Sequence, residues 1–128
     1  MDRVCHFEIP YADRERASKF YGDVFGWQIQ HMEQMPYSFA ITTPVDETMQ
    51  PKQVGGINGG MYERGDGVSQ SPVVVMEVDS CEQRVADVEA AGGSVVVSVH
   101  QVGEMGKYAQ VKDSEDNVIG LWQPLHQG

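Results

Sequence analysis

His6 and Glu8 stand two residues apart in the run Val4-Cys5-His6-Phe7-Glu8-Ile9-Pro10. On an extended strand that spacing puts an imidazole and a carboxylate on one face, ~7 Å apart. Groups so placed can work as a catalytic acid/base pair or as hydrogen-bonding contacts for a small ligand. The plainer reading is a polar pair satisfied inside the wall of the fold. Asn58 lies between Gly55-Gly56 and Gly59-Gly60. It can aim an amide into a pocket while the glycines leave room, or the glycines can serve bulges and sheet curvature. Tyr108 offers a hydroxyl and Trp122 an indole N–H, while Met76, with Met61 and Met105, offers a pliable apolar wall. Core packing competes with the ligand-contact reading for each of these. His31 and His100, near strand ends, and His126, in the tail, are given no role.

The elements that position these groups follow from periodicity. Val4 to Pro10 alternates as a strand with Cys5, Phe7 and Ile9 on one face, and Pro10, which cannot donate to a ladder, should end it. Asp13 is a good N-cap for a helix over Arg14 to Phe25. Ala17, Phe20, Tyr21, Val24 and Phe25 form its apolar stripe, expected to lie on a sheet, and Gly26 is its left-handed stop. Trp27–Met32 and Tyr37–Thr42 make a hairpin around Gln34-Met35-Pro36, and a loop over 43–54 leads into a glycine-diluted strand, Gly55–Tyr62. After the polar connector 63–71, Val73–Val78 is a β-branched strand. Ser80 with Gln83 reads as a capping box opening a second helix to Ala91, with Cys81, Val85 and Val88 inward. Ser94–Val99 follows, then a hairpin of Lys107–Lys112 and Val118–Gln123 around Asp113-Ser114-Glu115-Asp116-Asn117.

The grammar repeats. Asp13 and Asp79, and likewise Gly26 and Gly92, stand at one offset of 66 residues. The chain is thus expected to be a single α+β domain over 1–128 built from two tandem βαβββ modules, 3–62 and 72–123, whose curved mixed sheets form a cavity.

Composition narrows the function classes. Nine Lys+Arg against nineteen Asp+Glu give a net charge of −10. That field repels phosphate backbones and anionic headgroups, so neither nucleic acid nor membrane is expected as a partner. No apolar run approaches the ~20 residues that span a bilayer. The opening residues Met1–His6 hold no apolar signal core, and a cytoplasmic protein is expected. Cys5 and Cys81 are expected to be free thiols, and neither has a Cys or His neighbour at metal-ligand spacing. No Gly-x-Ser-x-Gly, phosphate-cradling loop or Cys-x-x-Cys is present.

The paired modules carry two further pieces of text: Arg16-Ala17-Ser18-Lys19-Phe20-Tyr21 ending in Phe25-Gly26-Trp27, and Asp113-Ser114-Glu115-Asp116-Asn117-Val118-Ile119-Gly120-Leu121-Trp122. Together, over about residues 3 to 123, they resemble the glyoxalase / bleomycin-resistance / extradiol-dioxygenase proteins, the vicinal oxygen chelate superfamily. The resemblance implies curved sheets around a cavity that takes a small ligand and often a divalent metal, and it implies a homodimer. The family's metal ligands come one from each of four strands. The first, seven residues before the Asp that opens helix one, falls on His6. Its counterpart before Asp79 falls on Pro72, which has no ligand atom. The last, the Glu of a Gly-Asn-x-x-Glu-Leu text, falls on Gly120. The remaining one belongs to Gly55–Tyr62, where Asn58, or Glu63 just beyond, is the nearest polar candidate. Trp122, on the alternate face with Gly120, would then stand beside a vacated position and could stack on a flat ligand.

A catalytic transition-metal site needs about three protein ligands. His6 alone is of ligand type. The expectation is therefore a protein of this superfamily with a degenerate metal site and no cofactor, sequestering a small aromatic or amphipathic compound. The contacts would come from His6, Glu8, Asn58, Met76, Tyr108 and Trp122. The alternative is a glyoxalase-like lyase or extradiol-type dioxygenase holding one Zn, Ni, Fe or Mn at a site rebuilt around His6 with Glu8 or Glu63; His6 and Glu8 could also act as acid and base without a metal. Whether the chain is an enzyme stays open at this point.

Overall fold

Two capped helices set the module boundaries. Asp13 sits in extended backbone and its Oδ1 accepts the Arg16 N–H at 3.0 Å, so α1 (Arg14–Phe25) begins where the sequence places it. Gly26, at φ 74°, closes it with its N–H on the carbonyls of Gly22 and Tyr21. α2 (Cys81–Ala90) is capped by Ser80, whose Oγ accepts the Gln83 N–H at 3.1 Å. The reciprocal half of the expected capping box is not made. The Gln83 amide instead donates to Asp87 Oδ1 at 3.0 Å, one turn further along the helix.

The caps also correct the repeat. Asp13 is matched by Ser80 rather than Asp79, so the module offset at the helix starts is 67 residues.

The structure, a computed structural model, describes residues 1–33 and 35–125. It divides into two units. One holds His6–Gly65 and Gln70–Pro72; the other holds Met1–Cys5, Asp66–Ser69 and Val73–Gly128. In the first, β1 (Val4–Tyr11), β2 (Gln28–His31), β3 (Tyr37–Ile41) and β4 (Gly59–Glu63) stand in the order β2-β3-β4-β1. β4 is parallel to β1 and antiparallel to β3. In the second, β5 (Val73–Glu77), β6 (Ser94–Val102), β7 (Gly106–Lys112) and β8 (Val118–Pro124) repeat the pattern as β5-β8-β7-β6, with β8 parallel to β5. This is the α+β architecture of paired βαβββ modules that the sequence led us to expect.

Each helix covers one side of its own strands. In the first unit Tyr11, Ala40 and Met61 are buried, with Phe7, Ile9, Ala17, Tyr21, Trp27 and Ile29 packed on them. Tyr21 stacks on Trp27 at 4.8 Å between ring centres. In the second unit Val78, Cys81, Ala109, Val111 and Leu121 are buried against Val85, Val88, Val99 and Ile119. Both cysteines are free, and burial pushes each thiol up to about 11.

Four expectations shift. β1 runs through Pro10 to Tyr11, because Pro10, in register with Tyr62, loses one donor only one residue from the strand's end. The α1 stripe is only partly covered: Ala17 and Tyr21 pack, whereas Phe20, Val24 and Phe25 remain 53%, 57% and 60% exposed. The glycine-rich strand starts at Gly59, not Gly55. Side chains hold the preceding residues instead: Thr42 Oγ1 donates to the Ile57 carbonyl, and the N–H groups of Thr42 and Thr43 donate to Asn58 Oδ1. β6 extends to Val102 through register shifts between Val95 and His100. Gln34 and His126 lie outside the described residues.

Removing the α2 cap isolates its contribution. Ser80→Ala is expected to lower the unfolding free energy by about 1 kcal/mol, and Ser80→Asp to hold it within a few tenths, as measured by urea titration.

Candidate functional site

The side of the strands away from each helix carries the polar groups. Residues in register share a face, and successive residues alternate. In the first unit Ile9 is in register with Met61 on the helix side. His6, Glu8, Gly60, Tyr62, Tyr37 and Phe39 therefore share the opposite face, with Glu8 and Phe39 both in register with Gly60. In the second unit Ala109 and Leu121 define the helix side. That leaves Tyr108, Gln110, Gly120, Trp122 and Val75 on the other.

A tyrosine lies over a glycine in both. Tyr37 crosses Gly60 so closely that a Cβ there would stand 1.7 Å from its Oη and 2.1 Å from Cζ. The ring reaches His6, whose Nε2 is 2.8 Å from Tyr37 Oη. Which of the two donates depends on the imidazole tautomer. Burial pulls the His6 imidazole down from 6.5 to about 4, so it is neutral near pH 7 and a weak base there. Glu8, beside Gly60, is buried at 6% exposure. In the second unit a Cβ on Gly120 would stand 3.3 Å from Tyr108 Oη and 2.9 Å from Val75 Cγ2. Tyr108 Oη accepts from Gln110 Nε2 at 2.8 Å, and Gln110 Oε1 accepts from the Ser69 N–H at 2.9 Å. His100 meets the Tyr108 ring edge-on at 5.9 Å, and Trp122 is in register with Tyr108. The result is a half-buried aromatic surface with a fully bonded amide beneath it.

Glu8 follows His6 on the same face, as the alternation predicts. Tyr108 and Trp122 share the second unit's face. Met76 does not join them: it is in register with Leu121, on the side that α2 covers. Met61 is a 1% exposed core residue, and Met105 is 43% exposed at the β6–β7 turn. Asn58 spends its amide oxygen on two backbone N–H groups, so its role here is to hold the Thr42–Thr43 corner. His31 Nδ1 is 2.6 Å from the buried Ser38 Oγ.

Sequence reasoning missed Tyr37 and Gln110. The signal for Tyr37 was there: Tyr37 is in register with Tyr62, two residues after Gly60, as Tyr108 is with Trp122, two after Gly120.

The family's metal positions can now be tested against the chain. With Ser80 as the cap, the counterpart of His6 is Val73 rather than Pro72, a hydrocarbon in either case. The strand register equates Gly60 with Gly120. His6 is thus the single donor at four positions, and its Nε2 is already bonded to Tyr37. Among the described residues no group of three His, Cys, Asp or Glu could hold a metal ion. These residues do not fit the family's metal.

Comparison with known proteins agrees on the fold. Residues 3–43 match the family model described as bleomycin resistance protein-like N-terminal. A hypothetical protein from Bacillus halodurans has a TM-score of 0.64 at 11% identity, covering 99% of this chain and 97% of that one. A methylmalonyl-CoA epimerase from Mycobacterium tuberculosis has 0.63 at 15%, covering 94% and 87%. A glyoxalase/bleomycin resistance protein/dioxygenase superfamily member from Vibrio splendidus has 0.59 at 14%, covering 96% and 99%. No curated protein matches the chain in sequence. The chain has the glyoxalase/bleomycin-resistance fold that the resemblance in its sequence implied.

Two measurements test this geometry. Gly60→Ala is expected to destabilise by about 2–3 kcal/mol, since the phenol ring must leave, while Gly120→Ala, which meets a methyl and the edge of a ring, costs about 1. His6 binds its proton more weakly folded than unfolded. Its contribution to stability is therefore full above pH 6.5 and is lost as the pH falls through that value toward 4. Denaturant titrations across this window should show up to about 3 kcal/mol of pH dependence that is missing from His6→Gln.

Proposed function

We propose that this protein binds a small aromatic or amphipathic molecule on the strand faces away from its helices, and does so without a metal ion. The observation that carries this reading is Tyr37 laid across Gly60 and closed on His6. The hydroxyl is bonded to one of the two imidazole nitrogens that a metal could use, and glycine at the crossing has no donor atom to add. In the second unit Trp122, Tyr108 and His100 offer flat apolar area with polar edges, suited to stacking. Glu8, Tyr37 and Tyr108 supply hydrogen-bonding atoms for orientation. Sequestration needs nothing more.

The alternative, a metal-dependent lyase or dioxygenase built on His6, is compatible with a methylmalonyl-CoA epimerase among proteins of the same fold. The donor set weighs against it; the low proton affinity of His6 weighs separately against metal-free base catalysis at neutral pH. We further propose a homodimer, which would cover the exposed Val24 and Phe25 side chains of α1, and a cytoplasmic setting in keeping with two free thiols. No helix among the described residues is long and apolar enough to cross a membrane.

Elemental analysis of untagged protein purified without chelator, beside His6→Ala, tests the central point. The expected result is no stoichiometric metal in either. About one Zn, Ni, Fe or Mn per chain, lost in the variant, would overturn the reading in favour of a metal enzyme. Thermal-shift screening should then find aromatic ligands whose stabilisation disappears in Trp122→Ala.

A further inference from the structure

A cleft lies in the first unit beside the start of α1. It is open to solvent, with a volume of about 350 Å³ between the end of β1, the first turns of α1 and the residue after β4, and Arg16, Phe20, Tyr21 and Arg64 are in its lining. Neither His6 nor Tyr37 lines it. Its volume falls in the range of ligand clefts.

Its charges are unusual for this chain. Of the nine cationic side chains, Arg3, Arg14, Lys19, Arg84 and Lys107 are in ion pairs with carboxylates. Among the described residues, Arg16, Lys52, Arg64 and Lys112 are in none. The two arginines of that group line the same cleft. In a protein with ten net negative charges, a pair of guanidinium groups left without acids is a local exception to the field. Asp13 is the single carboxylate in the lining, and its Oδ1 is taken by the Arg16 backbone N–H. Phe20, 53% exposed, supplies an uncovered aromatic face at the same place. Ile9, Ala17 and Tyr21 complete an apolar wall.

We propose that this cleft is a second ligand site, specific for a small aromatic carboxylate. Its ring would rest on Phe20 and the Ile9–Ala17 wall, and its carboxylate would be held by Arg16 and Arg64. A guanidinium matches a carboxylate in geometry, with two parallel N–H donors, and stacks on aromatic rings as well. The site is independent of the His6 face, and its failure would leave the reading of that face unchanged.

The test is a titration of the whole protein with 2-naphthoate, with neutral 2-naphthamide as control, followed by amide ¹H–¹⁵N shifts and by tryptophan emission. Tyr21 lines the cleft and stacks on Trp27, which makes that indole the optical reporter. Shifts are expected to cluster at residues 9–21 and 64. The amide should bind about fivefold to tenfold more weakly, and Arg16→Gln with Arg64→Gln should reduce naphthoate to the same level. Phe20→Ser should weaken both probes alike. Shifts confined to His6, Tyr37 and Trp122 would overturn the proposal. So would equal affinity of acid and amide, or a double variant that binds as the parent does.

Discussion

An imidazole taken out of water keeps its need for a hydrogen bond, and in the first module that need organises the polar face. The bond from His6 to Tyr37 spans the strand between them only because that strand offers Gly60 at the crossing. Any Cβ would collide with the hydroxyl end of the Tyr37 ring. Three residues on three neighbouring strands thereby become one unit. Burial holds the imidazole in its neutral form, because desolvation penalises the cation.

The second module meets the same constraint differently. Tyr108 lies beside Gly120 as Tyr37 lies over Gly60, but β5 brings Val73 and Val75 where β1 brings His6 and Glu8. With no imidazole to bond, the hydroxyl takes the Gln110 amide, which the Ser69 backbone holds from behind. Two copies of one backbone plan therefore carry two different polar networks.

Most of the module plan was legible in the chain. Asp13, Gly26, Ser80 and the β-branched runs state local preferences that short-range sterics and single hydrogen bonds enforce, so both helices and the strand order of each module followed. The polar face was legible in part. Alternation put His6 with Glu8, yet it could not place Asn58 or Met76, because a one-residue choice of register or cap decides which face a side chain joins. The glycine-rich segment illustrates the difficulty. Its four glycines carry no pattern, and the start of β4 is decided by Asn58 bonding a corner 15 and 16 residues away.

What the sequence determined by itself was the grammar: charge balance, caps, turn residues and the doubled βαβββ order, each set by interactions within a few residues. What only the tertiary structure decided was the pairing of each glycine with its tyrosine, the neutrality of His6, and the meeting of Arg16 with Arg64 at one cleft. Those depend on strand register, burial and groups far apart in the chain. Desolvation and close contact have no magnitude until the strands are side by side.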